Sequence, residues 1–127
     1  MVECSRSRQT VLLIEPDRNL ASITGRALQD HGFVLTQVTA GREALEVLGT
    51  QYPDAVVLDP DVTDGAGGIV LDRLRQMEQS GDPAPLWVIM STLDRRDVVR
   101  QYGPPIPYFL AKPFDPWDLG KLLEELL

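Results

Sequence analysis

The sequence has one cysteine, one histidine and a shortage of basic charge, and each scarcity excludes a class of protein. With Cys4 alone no internal disulfide can form, which points to a reducing cytoplasm rather than a secreted, disulfide-stapled scaffold. Cys4 reads as part of a loose leader and not as a reactive thiol. His31 stands alone, so no second histidine is available to share a metal or to relay a phosphoryl group within the chain. No apolar run approaches the ~18 residues of a membrane span. The opening Met1-Val2-Glu3-Cys4-Ser5-Arg6-Ser7-Arg8 also lacks the apolar core of a secretory signal. Lysine and arginine total 12 against 19 acidic residues, a net charge of −7, with no basic stripe to follow a phosphate backbone. Direct binding of DNA or RNA is therefore not expected. No Gly-x-Gly-x-x-Gly follows any candidate strand. The turn Glu15-Pro16-Asp17-Arg18-Asn19 has neither glycine nor hydroxyl to cradle a phosphate. A flavin- or nucleotide-binding enzyme is accordingly the weakest functional class.

What is present is an alternation of apolar clusters and helical patterns along 127 residues, enough for one domain with its own core. Val11-Leu12-Leu13-Ile14, Ala55-Val56-Val57-Leu58 and residues 86–90 are short apolar runs, as expected of strands buried on both faces. Residues 34–38 and Tyr108-Phe109-Leu110 complete a set of five. Between them, Leu20, Ile23, Ala27 and Leu28 recur at helical spacing after Asp17, a residue type that caps helices well. Ala44, Leu45 and Leu48 mark a short helix over 42–48. A glycine-rich acidic loop over 60–68 precedes a helix carrying Ile69, Leu71, Leu74 and Met77. The helix opened by Asp94 cannot pass Gly103-Pro104-Pro105. Asp115, Pro116 and Asp118 start a last helix bearing Leu119, Leu122, Leu123 and Leu126. Strands alternating with helices imply an α/β fold, a parallel sheet covered on both faces.

In such sheets the binding site lies beyond the carboxyl ends of the strands. Those ends here carry Glu15 and Asp17, then Asp59, then Ser91 and Thr92, and finally Lys112. A carboxylate nucleophile, hard oxygen donors for a cation, a hydroxyl and an ammonium suit transfer of a phosphoryl group to a carboxylate.

The motifs Val11-Leu12-Leu13-Ile14-Glu15-Pro16-Asp17, Asp54-Ala55-Val56-Val57-Leu58-Asp59, Asp64-Gly65-Ala66-Gly67, Val88-Ile89-Met90-Ser91-Thr92 and Phe109-Leu110-Ala111-Lys112-Pro113-Phe114 resemble, in order and spacing, those of the receiver domain of two-component response regulators. The resemblance implies a flavodoxin-like, doubly wound, five-stranded parallel sheet of order 2-1-3-4-5 with five helices, spanning residues 10–127. Residues 1–9 are then expected as a poorly ordered leader. It further implies Asp59 as phosphoacceptor and Lys112 as the phosphate-binding lysine. Ser91 and Phe109 become the switch pair, and a magnesium ion is held by Glu15, Asp59 and the carbonyl of Asp61. It makes Lys112-Pro113 a candidate cis bond. The implied partners are a histidine kinase or phosphotransfer protein and a downstream protein or output domain. The latter would be reached through the face of the fourth helix, fifth strand and fifth helix. Such a domain is a phosphoacceptor with slow self-catalysed transfer, not an enzyme in the usual sense.

Three departures from that pattern stand out. Pro16 occupies a position where a second acid is usual, so magnesium is expected to bind weakly, with Asp17 either replacing the ligand or capping the first helix. Thr63 replaces a proline in the loop after Asp59. Gly103-Pro104-Pro105-Ile106-Pro107 stiffens the approach to the fifth strand. The competing reading is a pseudo-receiver, a docking module whose metal site Pro16 has impaired. Plain alternatives also stand for single residues: Glu15 as a buried strand end neutralised by Lys112, and Phe109 as core packing. Trp87 reads as core and Trp117 as an exposed residue on a protein-binding face.

Overall fold

The computed structural model describes residues 8–81 and 83–127. The leader expected over the first residues, Cys4 included, falls almost wholly outside that span. Five strands alternate with five helices in the order β1 (Thr10–Ile14), α1 (Arg18–Asp30), β2 (Val34–Val38), α2 (Gly41–Thr50), β3 (Ala55–Leu58), α3 (Gly67–Gln79), β4 (Leu86–Ser91), α4 (Arg95–Tyr102), β5 (Phe109–Ala111) and α5 (Pro116–Leu126). The strands form one parallel sheet of order β2-β1-β3-β4-β5, as expected.

Alternation along the central strands divides the core in two. Leu12, Ile14, Val56, Leu58, Trp87 and Ile89 face α2, α3 and α4, where Leu48, Leu71, Leu74 and Val98 meet them. Val11, Leu13, Ala55, Val57, Val88 and Met90 face α1 and α5, against Leu28, Leu119 and Leu123. A period of two places successive side chains on opposite faces, so strands covered on both sides must be apolar throughout. Trp87 is 1% exposed, and its indole Nε1 donates to Glu78 at 2.9 Å, which satisfies the polar atom that burial would otherwise strand.

Element boundaries differ from expectation by a few residues. The helix α3 starts at Gly67, inside the stretch read as loop, because Gly67 has no Cβ: one built there would overlap the carbonyl of Pro60. The helix α2 extends to Gly41 and Thr50, and β5 begins one residue later, at Phe109, where it pairs with Ile89. Gly103 ends α4 with a φ of 78°, a left-handed backbone that glycine adopts without strain. Among the described residues, no helix is long and apolar enough to cross a membrane.

Candidate functional site

Parallel strands bring their carboxyl ends to one rim, and the fold sets Glu15, Asp59, Ser91 and Lys112 there. Asp59 follows β3 and is 6% exposed; Glu15 follows β1 and is fully buried. Lys112 follows β5, and its Nζ lies 2.5 Å from Asp59 Oδ2 and 2.5 Å from Glu15 Oε1. One ammonium thus bridges two carboxylates that burial would otherwise hold apart by repulsion and desolvation. Burial alone would lower the lysine's pKa; the paired Asp59 and Glu15 carboxylates outweigh it and raise the pKa above the ordinary 10.5. The triad carries a formal charge of −1 and keeps Lys112 protonated at neutral pH. The Lys112-Pro113 peptide bond is cis, as the resemblance implied, and so is Pro104-Pro105.

The remaining oxygens are held by backbone. Asp59 Oδ1 accepts from the Asp61 N–H at 2.8 Å, and Glu15 Oε2 accepts from the Asp17 N–H at 3.0 Å. Glu15 Oε1 is held by the Lys112 ammonium in the ion pair. Of the two roles open to Asp17, the structure shows the cap: Oδ1 accepts from the N–H groups of Asn19 and Leu20 at the start of α1. Ser91 is 5% exposed at the end of β4, and its Oγ accepts from the Leu93 N–H at 3.0 Å, a local turn bond. Phe109 is half-buried against the cluster containing Ile89 and Val98, so core packing is part of its role.

The donors fit a hard cation in kind. Two carboxylates and the Asp61 carbonyl are oxygen donors of the kind such an ion takes, with Lys112 holding one oxygen of each carboxylate. Pro16 supplies no side-chain oxygen, and Asp17 Oδ1 is engaged at the start of α1. Among the described residues no three acidic, histidine or cysteine side chains converge as a ready-made metal site.

Three residues tie separate elements together without having been singled out for it from sequence. Asp64 accepts from the N–H groups of Gly41 and Arg42, at 3.1 and 2.9 Å, and so caps α2 from the loop after β3. The hydrogen bond from Arg42 leads in lowering its pKa below the ordinary 3.8, against burial, with Ala66 and Gly41 assisting. Arg75 of α3 donates to the carbonyls of Tyr102 and Gly103, at 3.0 and 2.6 Å. Tyr102 donates its hydroxyl to the Pro60 carbonyl at 3.3 Å. Asp64 stood in a recognised motif, but nothing local in the sequence marks Arg75 or Tyr102. Trp117 is 49% exposed, as expected, and its ring lies 3.7 Å from that of His31, which also pairs with Glu124.

Residues 11–124 match the family model described as the response regulator receiver domain. The chain is 31% identical over 117 residues to the response regulator MprA of Mycolicibacterium vanbaalenii, covering 92% of this chain and 46% of that protein. MprA of Mycobacterium ulcerans is similar at 30% identity over the same shares. The chain therefore spans about half the length of the curated relatives it matches. Among solved structures it is similar in fold to the chemotaxis response regulator CheY4 of Vibrio cholerae, with a TM-score of 0.77 at 22% identity over 95% of this chain and 100% of that one. A CheY-like receiver domain from Methanospirillum hungatei gives a TM-score of 0.78 at 15% identity over 94% of each chain.

Proposed function

The chain belongs to the response regulator receiver domain family, and on that premise we propose that it accepts a phosphoryl group from a phosphohistidine onto Asp59. The observation that carries this reading is the Glu15–Lys112–Asp59 triad, buried at the rim with its lysine protonated. An Asp59 carboxylate oxygen attacks phosphorus, the N–P bond of the donor breaks, and the departing imidazole keeps the electron pair and takes up a proton. Little covalent chemistry is asked of the protein, so positioning and charge neutralisation dominate. Lys112 is already beside the acceptor and can follow the phosphoryl oxygens without gaining or losing a proton.

Magnesium would be held by Glu15, Asp59 and the carbonyl of Asp61, and when bound it supplies neutralisation of the phosphoryl oxygens. With Pro16 in place of an acid, that binding is weak. Ser91 must leave the Leu93 N–H to turn toward the phosphoryl group, and Phe109 then follows, altering the face of α4, β5 and α5. The partners on this reading are a histidine kinase or phosphotransfer protein and a downstream protein or output domain, all in the cytoplasm. The domain is a slow self-catalyst at most and not an enzyme.

The second reading, a pseudo-receiver that docks without being phosphorylated, draws on Pro16 and on Lys112 occupying both carboxylates. Acetyl phosphate with and without magnesium, followed by intact mass, separates the two. One phosphoryl group added in the presence of magnesium supports the acceptor; no addition at any magnesium concentration favours the docking module.

A further inference from the structure

Pro60 directly follows Asp59, and its carbonyl is gripped from two sides. Gly67 crowds it from α3, where no Cβ could be accommodated. From α4, Tyr102 donates its hydroxyl to the same oxygen at 3.3 Å, and Gln101 Nε2 donates to that hydroxyl at 3.2 Å. The Tyr102 ring is half-buried against the core cluster under α3 and α4. Its backbone carbonyl is fixed by Arg75, which also holds the next carbonyl, that of Gly103. Tyr102 is therefore attached to the acceptor loop at one end and to the exit of α4 at the other. It also feels the charge there: burial, then the negative charges of Asp61 and Asp59, raise its pKa above the ordinary 10.0. The bond to Pro60, at 3.3 Å, is sensitive to small displacements of the loop.

We propose that Tyr102 is a positioning residue that ties the Pro60 carbonyl to the end of α4, so that a change at Asp59 reaches α4 through the loop backbone without passing through Ser91 and Phe109. Its use in signalling rests on the acceptor reading of Asp59, but the coupling itself is a property of the unmodified chain. Thr63 gives this a physical motive. The loop lacks a proline there, and the grip on Pro60 supplies restraint from outside.

Nuclear magnetic resonance on four proteins without any phosphodonor tests this: wild type, Asp59→Asn, Tyr102→Phe and the double variant. Tyr102→Phe keeps the ring and the hold of Arg75 and deletes only the hydroxyl. Asp59→Asn should shift the amides of residues 100–103 in the wild-type background, and that footprint should shrink by at least about half in the Tyr102→Phe background. Shifts around Phe109 should persist in both. An undiminished footprint on α4 overturns the proposal. A beryllofluoride mimic that fails to bind the wild type would instead remove the acceptor reading and leave the coupling standing.

Discussion

Strand β3 carries an aspartate at each end, and the two live in opposite conditions. Asp54, before the strand, is exposed and accepts from the Thr10 N–H at 2.7 Å and the Thr10 hydroxyl at 3.3 Å, both neutral donors. Asp59, after it, is 6% exposed and shares an ammonium with Glu15. The side chains are identical and only Ala55–Leu58 separates them. Their difference comes from the sheet: in a parallel array one rim collects every strand's carboxyl end, and only there do charges from β1, β3 and β5 converge. The amino-end aspartate ties two strands together; the carboxyl-end one sits in a charged pocket.

The sharpest way to break this contrast is to neutralise each aspartate in turn. Asp59→Asn should abolish phosphoryl uptake from acetyl phosphate, read by intact mass, whereas Asp54→Asn should leave it unchanged. Loss of uptake in both variants would mean that the two ends are not functionally distinct.

Stability gives the next largest effect. Lys112→Met leaves two buried carboxylates without a counter-charge and should cost about 3 kcal/mol at neutral pH by denaturant unfolding. The pH dependence has a definite sign. The folded lysine has a pKa above 10.5, so its contribution is complete below that value and is lost as pH rises through the folded pKa. Wild type should therefore lose stability on the alkaline side and Lys112→Met should lack that limb, while Asp54→Asn keeps it.

Much of this rim was legible in the sequence, for a physical reason. Strands buried on both faces are uniformly apolar, so Val11 to Ile14 and Ala55 to Leu58 announce themselves, and the residue that ends each run falls on the rim. Glu15 and Asp59 were found in that way, Lys112 as the charge following the brief fifth run, and the order of the strands came from the resemblance. What pattern could not reach were contacts between elements distant in sequence. Arg75 and Tyr102 lie 27 residues apart and meet only because α3 and α4 cover the same face of the sheet. Asp64 caps α2 from a loop more than 20 residues downstream, a partnership that no local capping rule anticipates. The start of α3 was misplaced for a similar reason: the glycines that suggested a loop are there to let a helix approach the Pro60 carbonyl.

Smaller effects sharpen the contrast at the cation side of the pocket. Pro16→Asp restores a carboxylate and should tighten magnesium binding roughly tenfold and speed phosphorylation. Unchanged affinity by titration calorimetry would mean that another oxygen already fills the position. Asp17→Ala should cost about 1 kcal/mol of stability through loss of the α1 cap. Magnesium affinity should be nearly untouched, and a large loss of affinity would return Asp17 to the ligand set.

The central claim is that Asp59 alone, among the acids near this rim, is the phosphoacceptor. Borohydride reduction of the protein after treatment with acetyl phosphate and magnesium converts an aspartyl phosphate to homoserine, which peptide mass mapping can locate. The account predicts homoserine at Asp59 and at no other position. Homoserine at Asp61, Asp17 or Asp54, with Asp59 unmodified, would contradict it.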